Sequence, residues 1–176
     1  MGKNMLKSPT LKLLRYLTIL SFMMPSLLFA QTASEITESR SGEVLAHKAV
    51  ADPVFAQKLS NELSRCHGFL YELHDHLTKE IEMNLDTIKA ESTLSQDAQI
   101  YGYAAVLIKT YHSESIKAAH TYANAISHDA RSVWRPTLKA AKTNILVISM
   151  PEIRKCAENK PVAEWLFAGA LAHKSK

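Results

Sequence analysis

Between Leu59 and Ile88 the apolar residues fall three or four apart without interruption: Leu59, Leu63, Cys66, Leu70, Leu73, Leu77, Ile81, Leu85 and Ile88. A helix, at 3.6 residues per turn, gathers such a series on one side, and that side must then be covered by other elements. The opposite face carries Lys58, Glu62, Arg65, Glu72, Asp75, Lys79, Glu82, Asp86 and Lys89, a mixed-charge series that reads as the solvated face. Asp52-Pro53 supplies a start, an acceptor for the first unpaired amides followed by the residue that has no amide to satisfy. The spacing predicts a long helix from Pro53 to about Glu91.

Ser92 to Ser95 interrupts the pattern, and Ser95 is placed to cap a second helix with the seam Tyr101, Ala104, Ile108, Tyr111, Ser115, Ala118, Tyr122 and Ala125. Small residues alternating with tyrosines suit a close helix–helix approach, and any buried hydroxyl then needs a partner. Asp129 could cap a further helix, with Pro136 in its first turn or at a kink. Trp134, Leu138, Ala141, Ile145 and Ile148 continue one face. Ser149-Met150-Pro151-Glu152 has the form of a capping box with proline inside; it opens a short helix carrying Cys156. Asn159-Lys160-Pro161 opens a last amphipathic segment through Leu171. Gly68 and Gly102, each worth about 1 kcal/mol against a helix interior, read as points of close backbone approach, as a ligand groove beside Tyr101 and Tyr103, or as merely tolerated.

Residues 31–176 contain only four glycines, Gly42, Gly68, Gly102 and Gly169. Tight hairpins and phosphate-cradling loops both consume glycine. Their scarcity beside abundant Ala, Leu, Lys and Glu predicts an all-α fold: an antiparallel helical bundle of about four main helices with shorter terminal ones. The length suits one domain with a substantial core. Residues 31–42 are small and polar without a sustained stripe and read as a flexible tether, while Glu43–Ala51 could form a short helix. The organisation expected is a leader over 1–30, a tether with a short helix over 31–52, and a bundle domain over 53–176.

The leader is read from Lys3, Lys7, Lys12 and Arg15 followed by the apolar run YLTILSFMMPSLLFA, Tyr16 to Ala30. A basic region and a core of about 7–15 apolar residues form a secretory signal. The run is shorter than the roughly 20 residues that span a bilayer. Export to the periplasm or the outside, with cleavage near Ala30 and only transient membrane contact, is therefore expected. Four of the 21 Lys and Arg, and none of the 17 Asp and Glu, lie in residues 1–30, so the remainder has zero formal charge. A nucleic-acid surface needs a surplus of cations, and no nucleic-acid partner is expected.

Cys66 and Cys156 are the two cysteines. In an oxidising compartment they admit one intramolecular pairing, and the disulfide would clip the C-terminal elements onto the first long helix. Buried free thiols are the alternative; a redox dithiol is disfavoured because C-x-x-C is missing.

Eight histidines are the chemically suggestive excess. His67, Tyr71 and His74 share one edge of the first long helix, but His67 and His74 stand about two turns, or about 10.5 Å, apart. That is too far for both to hold one ion at bonds of about 2 Å. His112 and His120, eight residues apart, have the same difficulty. A metal, haem or small hydrophobic ligand would need His67, Tyr71, His74, His112 and His120 to converge from several helices. The sequence contains no C-x-x-C-H, H-E-x-x-H, E-x-x-H, G-x-S-x-G or P-loop pattern. Ser127, His128 and Asp129 have the residue types of a hydrolase triad but are consecutive, which is not triad geometry. Elimination leaves an exported, non-enzymatic bundle with no cofactor that acts through contact with another exported protein. The alternative is a bundle that binds metal, haem or a small hydrophobic ligand.

Overall fold

The computed structural model describes residues 33–80, 85–141 and 144–174. The expected leader and its processing point near Ala30 lie outside them. The described chain forms five helices: α1 (Ala33–Ala51), α2 (Pro53–Glu80), α3 (Leu85–Thr110), α4 (Ile116–Ala141) and α5 (Ile145–Lys174), with no strand among the described residues. The expected all-α bundle is present.

Cross-helix bonds give the directions. Ser60 Oγ donates to the Ala105 carbonyl at 3.0 Å and His67 Nδ1 lies 2.7 Å from the Ala98 carbonyl, so α3 runs against α2. Tyr122 OH donates to Asn61 Oδ1 at 2.7 Å and Arg135 Nε to Glu72 at 2.8 Å, so α4 runs with α2. The Cys66–Cys156 disulfide and the Asn159–Glu62 bond set α5 against α2. Gly42 beside Pro161, and His47 5.9 Å from Trp165, lay α1 along α5 in the same direction. Every helix thus reverses its predecessor.

Helix α2 is the central element, packed against the other four. Leu59, Leu63, Cys66, Leu70 and Leu73 are buried as the spacing predicts, but so are Ser60, Ser64, Phe69 and Glu72. A helix covered on several sides buries more than one stripe. Opposite it stand Ala98, Tyr101, Ala104, Ala105 and Ile108 of α3, Ala119, Ala123 and Leu138 of α4, and Cys156, Val162, Ala163 and Leu166 of α5. Each large aliphatic or aromatic side chain so covered contributes about 1.5–3 kcal/mol. The buried Tyr101 hydroxyl donates to the Cys156 carbonyl at 2.6 Å, supplying the partner that its burial demands.

The helix boundaries differ instructively from those expected. Asp52 is the predicted cap, its Oδ1 accepting from Val54 N at 2.9 Å and Phe55 N at 3.0 Å. However, α2 ends at Glu80; Ile81 lies outside the described residues, and Leu85 and Ile88 belong to α3. Ser92–Ser95 does not break the chain but sits inside α3, since Ser and Thr cost only about 0.5 kcal/mol each in a helix and packing outweighs them. The break falls instead at 111–115, dividing the predicted Tyr101–Ala125 seam, and Ser115 Oγ caps α4 by accepting from Ala118 N at 3.1 Å. Asp129 caps nothing, because α4 is continuous through it and through Pro136. The two short C-terminal helices are one, α5, with Pro151 and Pro161 inside it. Proline there leaves the carbonyl four residues back without its donor. The residues bearing these carbonyls, Val147 and Ala157, are exposed to water, as is Ser132, four before Pro136 in α4.

Helix α1 also begins ten residues before the short helix expected at Glu43, taking in much of the stretch read as a tether. Gly42 is buried, and a Cβ there would collide with the Pro161 carbonyl; the same is true of Gly68 and the Ser127 carbonyl. Both glycines therefore let one helix backbone touch another, the first of the readings open for Gly68.

Ser149 is fully buried, and its hydroxyl has no hydrogen-bond partner among the described residues. Leaving such a group unpaired costs about 1–3 kcal/mol. Ser149→Ala removes it and is expected to stabilise by about 1 kcal/mol, read as a rise of roughly 2–4 °C in thermal midpoint. A lower midpoint would count against this account.

Candidate functional site

The edge of α2 singled out in the sequence carries the densest polar arrangement. His67 is partly buried between α2 and α3, and its Nδ1–H donates to the Ala98 carbonyl at 2.7 Å. Gly102 makes the room: a Cβ there would stand 2.7 Å from that nitrogen. Burial holds the His67 pKa below the ordinary imidazole value and the charge of Arg131 lowers it further, against the opposing bond to Ala98. The ring is therefore neutral at pH 7, with its proton on Nδ1.

Tyr71, one turn on, lies 6.2 Å from the His67 ring, and the Arg131 guanidinium from α4 sits 4.2 Å from the Tyr71 centroid. Between them is Glu72, only 4 % exposed. Its Oε1 accepts from Arg135 Nε at 2.8 Å, and its Oε2 accepts from Arg135 Nη2 at 3.1 Å and Arg131 Nε at 3.3 Å. Burial opposes ionisation of this carboxyl, but the hydrogen bonds and charges of Arg135 and Arg131 outweigh it and hold the pKa below the usual carboxylate value. Asp75 and Lys79 add an ion pair at 2.7 Å on the next turn. These groups face an open cleft of about 510 Å³ between α2 and α4, which His76 and Lys139 also line. A second cleft, of about 380 Å³, lies between α2, α4 and α5, with Arg65, Asp129 and Trp134 on its walls.

The other candidates are dispersed. His74 is partly buried on α2, where its carbonyl accepts from Thr78. His112 closes the α3–α4 turn, its Nε2–H donating to the Ala49 carbonyl at 2.8 Å. His120 is exposed on α4 beside Asn124. The structure joins His67 with Tyr71 but keeps His112 at the far end of α3, where the twelve steps from Ala98 to Thr110 alone span about 18 Å. Among the described residues no three His, Cys, Asp or Glu are placed to hold one metal ion. Ser127 is buried under Gly68 while His128 and Asp129 point outward, so those three do not converge.

Sequence reasoning missed Glu72, Arg131 and Arg135. The available signal was Arg131 and Arg135 spaced by four, which puts both on one helix face, and Glu72 three residues beyond the apolar Phe69.

The pKa directions fix the acid behaviour. A His67 pKa lowered by folding contributes stability fully present above the unfolded value near 6.5 and lost as pH falls through the folded one. Glu72, also lowered, contributes stability present above about 4.3 and lost below it. Unfolding midpoints in denaturant are expected to fall in two stages on acidification. Glu72→Gln should cost about 1–3 kcal/mol at pH 7, since both arginines keep some solvent, and should shrink the second stage, to which Asp75, its pKa lowered chiefly by the hydrogen bond from Lys79, also contributes. A second stage that survives unchanged in that variant would place its origin elsewhere.

Fold and site together define the class: an all-α bundle closed by one disulfide, with a charged cleft between two helices that run in the same direction. Comparison with protein-family models, curated proteins and solved structures finds no match to this chain.

Proposed function

We propose that the protein is exported to the periplasm or the outside and acts there, without catalysing a reaction, by contact with another exported protein. The carrying observation is the apolar end of the bundle. Val54 is 79 % exposed at the start of α2, Tyr111 60 % after α3 and Ile116 68 % at the start of α4. The His112–Ala49 bond ties these two turns together and brings Val50 to the same end. Several exposed apolar side chains at one end of the bundle favour a protein partner that covers them. The compartment is supported by the Cys66–Cys156 pair, since such bonds persist where thiols are oxidised, and by the basic-then-apolar order of residues 1–30. No helix among the described residues is long and apolar enough to cross a membrane.

Photo-crosslinking in exporting cells tests this reading. A crosslinker at position 54, 111 or 116 is expected to give an adduct with one and the same exported protein, and a crosslinker at the exposed Lys155 none. Adducts from all four positions alike, or from none, would overturn the proposal.

A further inference from the structure

The α2–α4 cleft has more positive charge than its own carboxylates neutralise. Arg131, Arg135, Lys79 and Lys139 stand against Glu72 and Asp75 alone, a local surplus of two in a chain whose residues 31–176 sum to zero formal charge. The arginines are also oriented. Glu72 engages Arg131 only through Nε and Arg135 through Nε and Nη2. Both Nη groups of Arg131 and Nη1 of Arg135 therefore have no hydrogen-bond partner among the described residues. Tyr71 backs the Arg131 plane, and the two side chains remain 31 % and 50 % exposed. Lys139 makes no hydrogen bond or ion pair among the described residues and lines the same cleft. A buried carboxylate that fixes two guanidinium forks, with unused donors beside an open cleft, is a preorganised oxyanion receptor.

We propose that this cleft binds a phosphate group, presented by a soluble phosphate monoester or by a phospholipid headgroup. A phosphate monoester carries about −1.5 to −2 charges at pH 7, matching the surplus, and its three terminal oxygens suit two forks and an ammonium. A single carboxylate would leave charge over. The 510 Å³ of the cleft exceeds what phosphate alone fills, leaving space for the group that carries it. The site lies on α2 and α4 away from the apolar end at Val54 and is independent of the partner contact proposed there.

The test uses the full chain with its disulfide intact, at ionic strength fixed with sodium chloride. Inorganic phosphate, methyl phosphate and malonate are titrated against the thermal midpoint and the arginine side-chain NMR signals. Sedimentation with phosphatidylcholine vesicles, with and without phosphatidic acid, forms the second arm. Saturable binding of phosphate or methyl phosphate below about 10 mM assigns a soluble ester; binding confined to phosphatidic-acid vesicles assigns the headgroup. Arg131→Lys keeps the charge beside Glu72 but loses the fork, and should weaken binding about tenfold; Lys139→Ala, which disturbs no contact, should weaken it about threefold. No saturation in either arm, unchanged affinity in both variants, or malonate bound as tightly as phosphate would overturn the proposal.

Discussion

Removing the Cys66–Cys156 bond, by reductant or as Cys66→Ala/Cys156→Ala, is expected to lower the unfolding free energy by about 2–5 kcal/mol. The bond spans 90 residues of sequence and joins α2 to the middle of α5, with Cα atoms 5.5 Å apart. It shortens the loops available to the unfolded chain, and both half-cystines are buried in the core, so alanine also leaves unfilled space. Denaturant melts with and without reductant measure the loss. Alkylation under native conditions gives the complementary reading: chain isolated from the oxidising side of a membrane should offer no reactive thiol. Equal midpoints in the two melts would show that α5 holds to α2 without the covalent link.

Phe69→Ala should be comparably damaging, at about 3–5 kcal/mol. Phe69 is completely buried, and its ring meets Trp134 of α4 with centroids 4.7 Å apart. Truncation removes this tilted aromatic pair and opens a cavity between α2 and α4, where Gly68 and Ser127 already hold the backbones together and leave little room for collapse. Thermal melting measures the loss, and Trp134 fluorescence should shift to the red as its neighbour disappears. Val133→Ala, at an exposed position of the same helix, should change stability by no more than about 0.5 kcal/mol and serves as the reference. A small loss at Phe69 would mean that the helices close over the gap.

Periodicity made the helical class, the inward stripe of α2 and the pairing of the cysteines legible, because each depends on spacing or count. Asp52-Pro53 was legible because a cap is a local interaction. Breaks at Ser92–Ser95, Asp129, Pro151 and Pro161 were read from signals of the same local kind, yet the helices continue through all of them. Their cost, a few tenths of a kcal/mol for serine and about 3 for proline, is smaller than the burial gained by Cys156, Val162, Ala163 and Leu166 beyond. The Glu43–Ala51 part of α1 is legible, but its start is not, because residues 31–42 carry no sustained apolar stripe and the close contact of Gly42 with α5 offers no apolar side chain to count. At the candidate site, His67 and Tyr71 were found as neighbours on one edge. Glu72 reads from sequence as solvated because a charge between apolar positions normally points outward. Its burial depends on two arginines about 60 positions later, a relation that no local pattern contains.

The prolines of α5 give that helix an uneven temperament. With no amide at 151 or 161, its ladder of backbone protons is interrupted twice, leaving pieces of 145–150, 151–160 and 161–174. None is long enough to persist alone in water; each survives by what it leans on, the middle piece on sulfur and the last on α1. Deuterium uptake along α5 should therefore rise in steps at the prolines rather than as a gradient from the ends. The plateau around Cys156 should be the slowest to exchange.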